Sequence, residues 1–205
     1  MLIKKKYICP YCETEIEGKI ACGFCCKILK HLINLKNEEI KHCSYIAAPF
    51  IYKSIIRDAI LKFKFEKRKE FCKSFCHFMI FDRIKLFDLL VCVPTFEKEF
   101  NSSKELSKVL SKKIKIHFCE NAVIKIRKTK HQHNCSLKER LTNLKGAFKA
   151  DENKVCGKHI LICDDIITTK STIKEIAFSL KKAGAKSVGA VSFAISQNLP
   201  FQNID

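Results

Sequence analysis

From His159 to Ala185 the chain reads HILICDDIITTKSTIKEIAFSLKKAGA: an apolar run, two adjacent carboxylates, a hydroxyl-rich turn and an amphipathic helix. No other stretch limits the fold so tightly. Ile160 to Cys163 has the character of a strand buried on both faces, as strands of parallel sheets are. It delivers Asp164 and Asp165 at its C-terminal end, and Thr168-Thr169-Lys170-Ser171-Thr172 then opens the helix. In an open α/β sheet, ligands bind beyond the carboxyl ends of the strands, where this turn lies. Unpaired N–H groups at a helix N-terminus cradle a phosphate, and the helix dipole favours the anion. The carboxylates are placed for ribose hydroxyls or for a Mg²⁺ ion serving them. A sugar phosphate fits each part. The alternative is a capped strand–turn–helix carrying a solvated acidic pair.

The remainder of the chain predicts the same architecture. Ser54 to Phe65 has helical spacing, with Ile55, Ile56, Ala59, Ile60 and Phe63 on one face and Lys53, Arg57, Lys62 and Lys64 on the other. Helices are also predicted over 27–36, 67–80 and 101–112, the last capped by Asn101 or Ser102. Strands are predicted over 89–93, over 114–118 or 122–126, and over 160–163 and 187–194. Strands alternating with helices give an α/β fold with a parallel sheet and right-handed crossovers. At 205 residues, 47% of them hydrophobic, the chain can bury one core and carry a small appendage. Asp82, Arg83, Lys85 and Asp88 interrupt its most apolar stretch, and no apolar signal core follows the N-terminal lysines. A soluble cytoplasmic protein is expected.

A formal charge of +18 and a pI near 9.4 call for a polyanionic partner, be it nucleic acid, anionic membrane or a small polyphosphate. A lysine-rich but merely solvated surface is the alternative. The charge concentrates between Ile124 and Phe148, where Lys125, Arg127, Lys128, Lys130, Lys138, Arg140 and Lys145 face only Glu139. A polar stretch of that length inside an α/β domain suits a lid over a pyrophosphate or a groove for single-stranded nucleic acid. His131 and His133 within it are read as solvent-facing rather than metal ligands.

Thirteen cysteines, an odd number without an export signal, point to reduced thiols. Two C-x-x-C knuckles stand apart from the others: Cys9 with Cys12, and Cys22 with Cys25. Four thiolates at this spacing form a closed tetrahedral site for structural Zn²⁺, with no open position for catalysis. A redox dithiol pair is the alternative, and Cys26 is an extra sulfur beside the set. Cys43, Cys72, Cys76, Cys92, Cys119 and Cys163 are expected in the core, and His77 there packs rather than binds metal.

The run DDIITTKST resembles the ribose-phosphate signature of type I phosphoribosyltransferases, DD-x-x-TTG-x-T, with Lys170 in place of the glycine. The resemblance implies a site for phosphoribosyl pyrophosphate (PRPP) and Mg²⁺: Asp164 and Asp165 on the 2′ and 3′ hydroxyls, residues 168–172 on the 5′-phosphate. Cysteine knuckles followed by such a domain resemble the ComF family of competence proteins along nearly the whole chain. That family's V-P-x-P loop is matched by VPTF, so Pro94 and Thr95 are implied on the pyrophosphate. Its basic signature is matched by Arg127, Gln132, Arg140, Asn143, Gly146, Ala147 and Phe148, and its domain-opening helix by ILKFKF with Lys62. Of a following R-G-F-N-Q segment only Phe100 and Asn101 remain. The family implies a zinc-binding unit over 1–40 and a phosphoribosyltransferase-like domain over 41–205. It also implies binding of single-stranded DNA during natural transformation, beside other competence proteins at the cytoplasmic face of the inner membrane. An active transferase with an unnamed acceptor, or a PRPP sensor that docks to a protein, are the competing expectations.

Overall fold

The structure is a computed structural model describing residues 7–18, 20–33, 36–79, 81–96, 100–129 and 144–196. Two short strands, β1 (Tyr7–Ile8) and β2 (Glu15–Ile16), form an antiparallel hairpin that leads into helix α1 (Gly23–Leu32). Strands β3 (Lys36–Ile40), β4 (Cys43–Ala48) and β5 (Phe50–Ile51) then enter the main sheet, followed by α2 (Ser54–Phe65) and α3 (Cys72–Phe78). Next come β6 (Leu89–Cys92), α4 (Ser102–Ile114), β7 (His117–Phe118) and β8 (Val123–Lys125). The chain closes with β9 (Phe148–Ala150), the short α5 (Glu152–Val155), β10 (His159–Ile167), α6 (Ser171–Lys182) and β11 (Ser187–Ile195).

Among the described residues seven strands make the sheet, in the order β3-β4-β11-β10-β6-β7, with β5 also on β11. Every pairing is parallel except β3 with β4. Alternate residues of the central strands feed two cores. Leu161, Cys163, Val191 and Phe193 face one side with the aromatic cluster of α2 and α3. Ile160, Ile162, Val188 and Ala190 face the other side beneath α6. That two-sided burial is why β10 and β11 read as unbroken apolar runs. Phe75 stacks on Phe193 with centroids 4.0 Å apart, and Phe50 and Phe63 meet this pair edge-on. Gly189 in β11 makes room for Phe87, since a Cβ there would sit 2.3 Å from the ring tip.

Several expected boundaries move. The first helix starts at Gly23, not at residue 27, because the Cys22 sulfur caps it by accepting from the Cys25 N–H. The helix expected over 67–80 is a 3-10 turn, Lys69–Phe71, followed by α3. Both candidate strands around 114–126 exist, but in different sheets: β7 joins the main one, while β8 pairs with β9 as a separate hairpin. The basic stretch lies between β8 and β9. Its residues 130–143, which include His131, Gln132, His133, Arg140 and Asn143, lie outside the described residues.

Candidate functional site

β10 is longer than the apolar run alone suggests. It continues through Asp164 and Asp165 to Ile167, pairing with β11 as far as Ile195. The carboxylates therefore sit inside the strand, just past the last β6 pairing at Cys92. Strand alternation then sends them to different surroundings. Asp165 is 1% exposed, while Asp164 is half-buried.

Two helices clamp this pair. From α2, the Lys64 ammonium lies 2.8 Å from Asp165 Oδ1. From the first turn of α4, Ser102 donates to Asp165 Oδ2 and Ser103 donates to Asp164 Oδ1 at 2.6 Å. The Asp165 backbone N–H also donates to Asp164 Oδ1, at 2.9 Å. Asn101 caps α4 by accepting from the Lys104 N–H, which leaves Ser102 free to reach the carboxylate. The positive end of α4 thus faces two negative groups. Burial, then the neighbouring Asp165 charge, push the Asp164 carboxyl up to about 7, against the pull of Lys64. Burial works against the Lys64 ammonium, yet Asp165 and Asp164 outweigh it and hold its pKa above the usual lysine value.

Lys64 corrects an expectation. It was placed with Lys62 on the solvent face of α2, but it lies four residues beyond Ile60 and follows the buried stripe into the site. Lys62, the lysine matched to the family helix, instead pairs with Glu13 at 2.9 Å.

Beyond Ile167 the loop runs through Thr168 and Thr169 to Lys170, which holds φ 60° and ψ −3° directly before α6. This left-handed conformation is the one a glycine adopts freely, and for lysine it costs about 1–2 kcal/mol. The Lys170 side chain extends to Glu38 on β3. Thr169 and Ser171 hydroxyls meet at 3.1 Å, and Ser171 and Thr172 form the first turn of α6. Asp164, Asp165, Thr168, Thr169, Lys170 and Thr172 line one cavity of about 350 Å³, together with Lys64, Tyr52 and Phe65.

Pro94 and Thr95 line a neighbouring cavity of about 470 Å³ with Lys104 and Lys125, while Val93 borders the first one. Arg127 donates to the Lys145 carbonyl at 2.8 Å, bridging the two arms of the stretch beyond β8 and β9. Gln132 and Arg140 lie outside the described residues.

The second candidate centre is metal-binding. The sulfurs of Cys9, Cys12, Cys22 and Cys25 all lie within 4.8 Å of one another, those of Cys12 and Cys22 at 3.6 Å. A tetrahedral Zn–S₄ site has sulfur–sulfur edges of about 3.8 Å, so the cluster suits a metal ion such as zinc. Backbone N–H groups of Cys22 and Cys25 point at the sulfurs of Cys9 and Cys22, as thiolate ligands require. Cys26 turns away to the Ala21 carbonyl. The unit is packed against the rest of the fold: Cys9, Tyr11, Cys25 and Leu29 share a core with α2 and α3, and Tyr11 Oη lies 3.0 Å from the buried Ser74 hydroxyl. Cys43, Cys72, Cys76, Cys92 and Cys163 are buried as expected, Cys119 is half-buried, and His77 is exposed and packs edge-on against Phe78.

The carboxylates suit Mg²⁺ less well than the thiolates suit zinc. Both oxygens of Asp165 are engaged, and Asp164 Oδ2 alone has no partner among the described residues. One open oxygen can accept from a sugar hydroxyl or from water on a phosphate-borne ion.

A parallel sheet that presents a carboxylate pair and a hydroxyl loop at a helix N-terminus defines a phosphoribosyltransferase-type domain. Residues 102–198 match the phosphoribosyl transferase domain model. The chain is 32% identical to the DNA utilization protein YhgH of Escherichia coli K12, over 89% of this chain and 82% of that one. It is 26% identical to competence protein F of Haemophilus influenzae, over 91% and 89%. The chain belongs to the ComF family of competence proteins. Among solved structures, adenine phosphoribosyltransferase from Thermoanaerobacter pseudethanolicus is 14% identical with a TM-score of 0.44, over 82% of this chain and 98% of that one.

Proposed function

We propose that this protein binds PRPP and single-stranded DNA and acts in DNA uptake during natural transformation. The observation that carries the PRPP half is the convergence of Asp164, Asp165, Thr168, Thr169, Lys170 and Thr172 on one cavity, beside the N-terminus of a twelve-residue helix. The 5′-phosphate is assigned to 168–172 and a ribose hydroxyl to Asp164. The pyrophosphate, with the Mg²⁺ it carries, is assigned to the adjoining cavity at Pro94 and Thr95, which is lined by Lys125 and by Lys104 in its ion pair with Glu120. Mg²⁺ there neutralises pyrophosphate charge. Arg127, Gln132 and Arg140 are assigned from the sequence to the pyrophosphate.

The DNA half is supported by the charge of +18, more than one small ligand requires, and by the relatives named for competence and DNA utilization. Zinc at the four cysteines braces the fold, and we place the protein on the cytoplasmic side of the inner membrane; no helix among the described residues is long and apolar enough to cross a membrane.

Phosphorus NMR of PRPP with Mg²⁺ and the purified protein tests this directly. Broadened PRPP resonances, unchanged in chemical identity after single-stranded DNA is added, are expected of a binding module. Release of pyrophosphate on adding DNA or a nucleobase would make the protein a working transferase, the reading that the second cavity at Pro94 and Thr95 favours next. Sharp, unshifted resonances throughout would overturn the PRPP assignment. DNA affinity should fall with salt, and Arg127→Ala should reduce the slope of log affinity against log salt by about one.

A further inference from the structure

Lys64 is the feature of the site that the phosphoribosyl signature does not account for. It enters from α2, outside the strand–loop–helix unit, and only a third of its side chain reaches solvent. Its ammonium is hydrogen-bonded to Asp165 Oδ1 at 2.8 Å, and Ser102 takes the other oxygen of the same carboxylate. A divalent ion seated on both carboxylates would have to displace the ammonium, leaving two cations competing for one buried group.

We propose that Lys64 is a built-in cation at the carboxylate pair, standing where a divalent metal would otherwise serve, so that the ribose-5-phosphate end of the site binds its ligand without Mg²⁺. The inference rests on the PRPP reading above. Two carboxylates beside a phosphate dianion would repel it; the ammonium cancels one of those charges before the ligand arrives. Ser102 and Ser103 hold the carboxylates in place while Asp164 Oδ2 remains open to accept a sugar hydroxyl. Lys64 acts here as a positioning residue: it fixes Asp165 and sets the charge of the floor on which the sugar rests. Mg²⁺ is then required only by the pyrophosphate, at the other cavity.

Ribose 5-phosphate separates the two ends, because it lacks the pyrophosphate that brings Mg²⁺ with it. Its affinity for the full-length zinc-loaded protein, measured by calorimetry with Mg²⁺ and after exchange into Mg²⁺-free buffer without chelator, should agree within about twofold, well inside the tenfold that 1.4 kcal/mol represents. Lys64→Gln should bind about tenfold or more weakly without Mg²⁺ and recover when it is added, as expected for loss of a charged hydrogen-bond partner. In Lys64→Gln, Mn²⁺ should broaden the phosphorus resonance of bound ribose 5-phosphate; in the wild type and in Lys64→Arg, which keeps the charge and the fold, it should not. Wild-type binding that needs Mg²⁺, or a Lys64→Gln protein that is folded yet indifferent to both metals, overturns the proposal while PRPP binding stands. If neither ribose 5-phosphate nor PRPP binds under any condition, the PRPP reading fails and takes this inference with it.

Discussion

Adjacent and chemically identical, Asp164 and Asp165 should respond in opposite ways to the same substitution. Asp165→Asn leaves the Lys64 ammonium without its ion partner in a site that is 1% exposed at the aspartate. Breaking a fully buried pair by removing one charge costs about 3–5 kcal/mol. A third of Lys64 is solvated, so water recovers part of that, leaving about 2–3 kcal/mol. For a chain of this size that is a fall in Tm of roughly 5–10 °C. Asp164→Asn keeps an acceptor for Ser103 and for the Asp165 N–H, and it removes a like charge beside Asp165. Near neutral pH this variant should therefore be at least as stable as wild type. The raised Asp164 pKa fixes the sign with pH. The folded state holds this proton more tightly than the unfolded state, so its contribution is complete below the ordinary carboxylate range and is lost as pH rises through about 7. Wild type should therefore lose stability relative to Asp164→Asn between about pH 4 and pH 7. Urea unfolding at a series of pH values measures both effects. Equal losses for the two variants, or a pH profile that Asp164→Asn leaves unchanged, would refute the division of labour drawn from the clamp. PRPP affinity should show the reverse order, falling further in the folded Asp164→Asn protein.

Cys25→Ala should abolish stoichiometric zinc by metal analysis and lower Tm, whereas Cys26→Ser, whose sulfur faces away from the cluster, should retain one zinc per chain. Tyr11→Phe removes the partner of the fully buried Ser74 hydroxyl and should cost about 1–2 kcal/mol by denaturant titration. Lys170→Gly relieves a left-handed lysine and loses the contact with Glu38; the two offset, and a Tm change equivalent to more than about 2 kcal/mol in either direction would show that one of them has been misjudged.

Much of the site was legible because it is contiguous. The strand, carboxylates, loop and helix from 159 to 182 lie in chain order, and α2 matches its predicted span of Ser54 to Phe65. What joins the site from elsewhere was not legible. Ser102 reads as a possible helix cap and Ser103 as an ordinary first-turn residue, since nothing local distinguishes a hydroxyl that serves its own helix from one that reaches across to a strand. Lys64 carried one signal: a lysine four residues past Ile60, on the side of the helix that the apolar stripe was about to claim. A lysine stem can follow an apolar face out to water, so the pattern alone did not reveal its carboxylate partner. Lys170 holds a left-handed backbone that a glycine would adopt freely, which the sequence does not disclose.

The last turn of helix α2 is anchored to two different centres. Lys62 reaches Glu13 beside the cysteine knuckles, Lys64 reaches Asp165, and Phe63 between them packs in the core that holds Cys9 and Tyr11. The surface pair contributes little on its own; the apolar packing is what makes the helix a common beam. A metal lost from the cysteine cluster, to a chelator or to oxidation of the thiolates, would loosen one support of that turn while Lys64, two residues on, holds Asp165. The redox state of four sulfurs thereby becomes part of the condition for keeping two carboxylates in place.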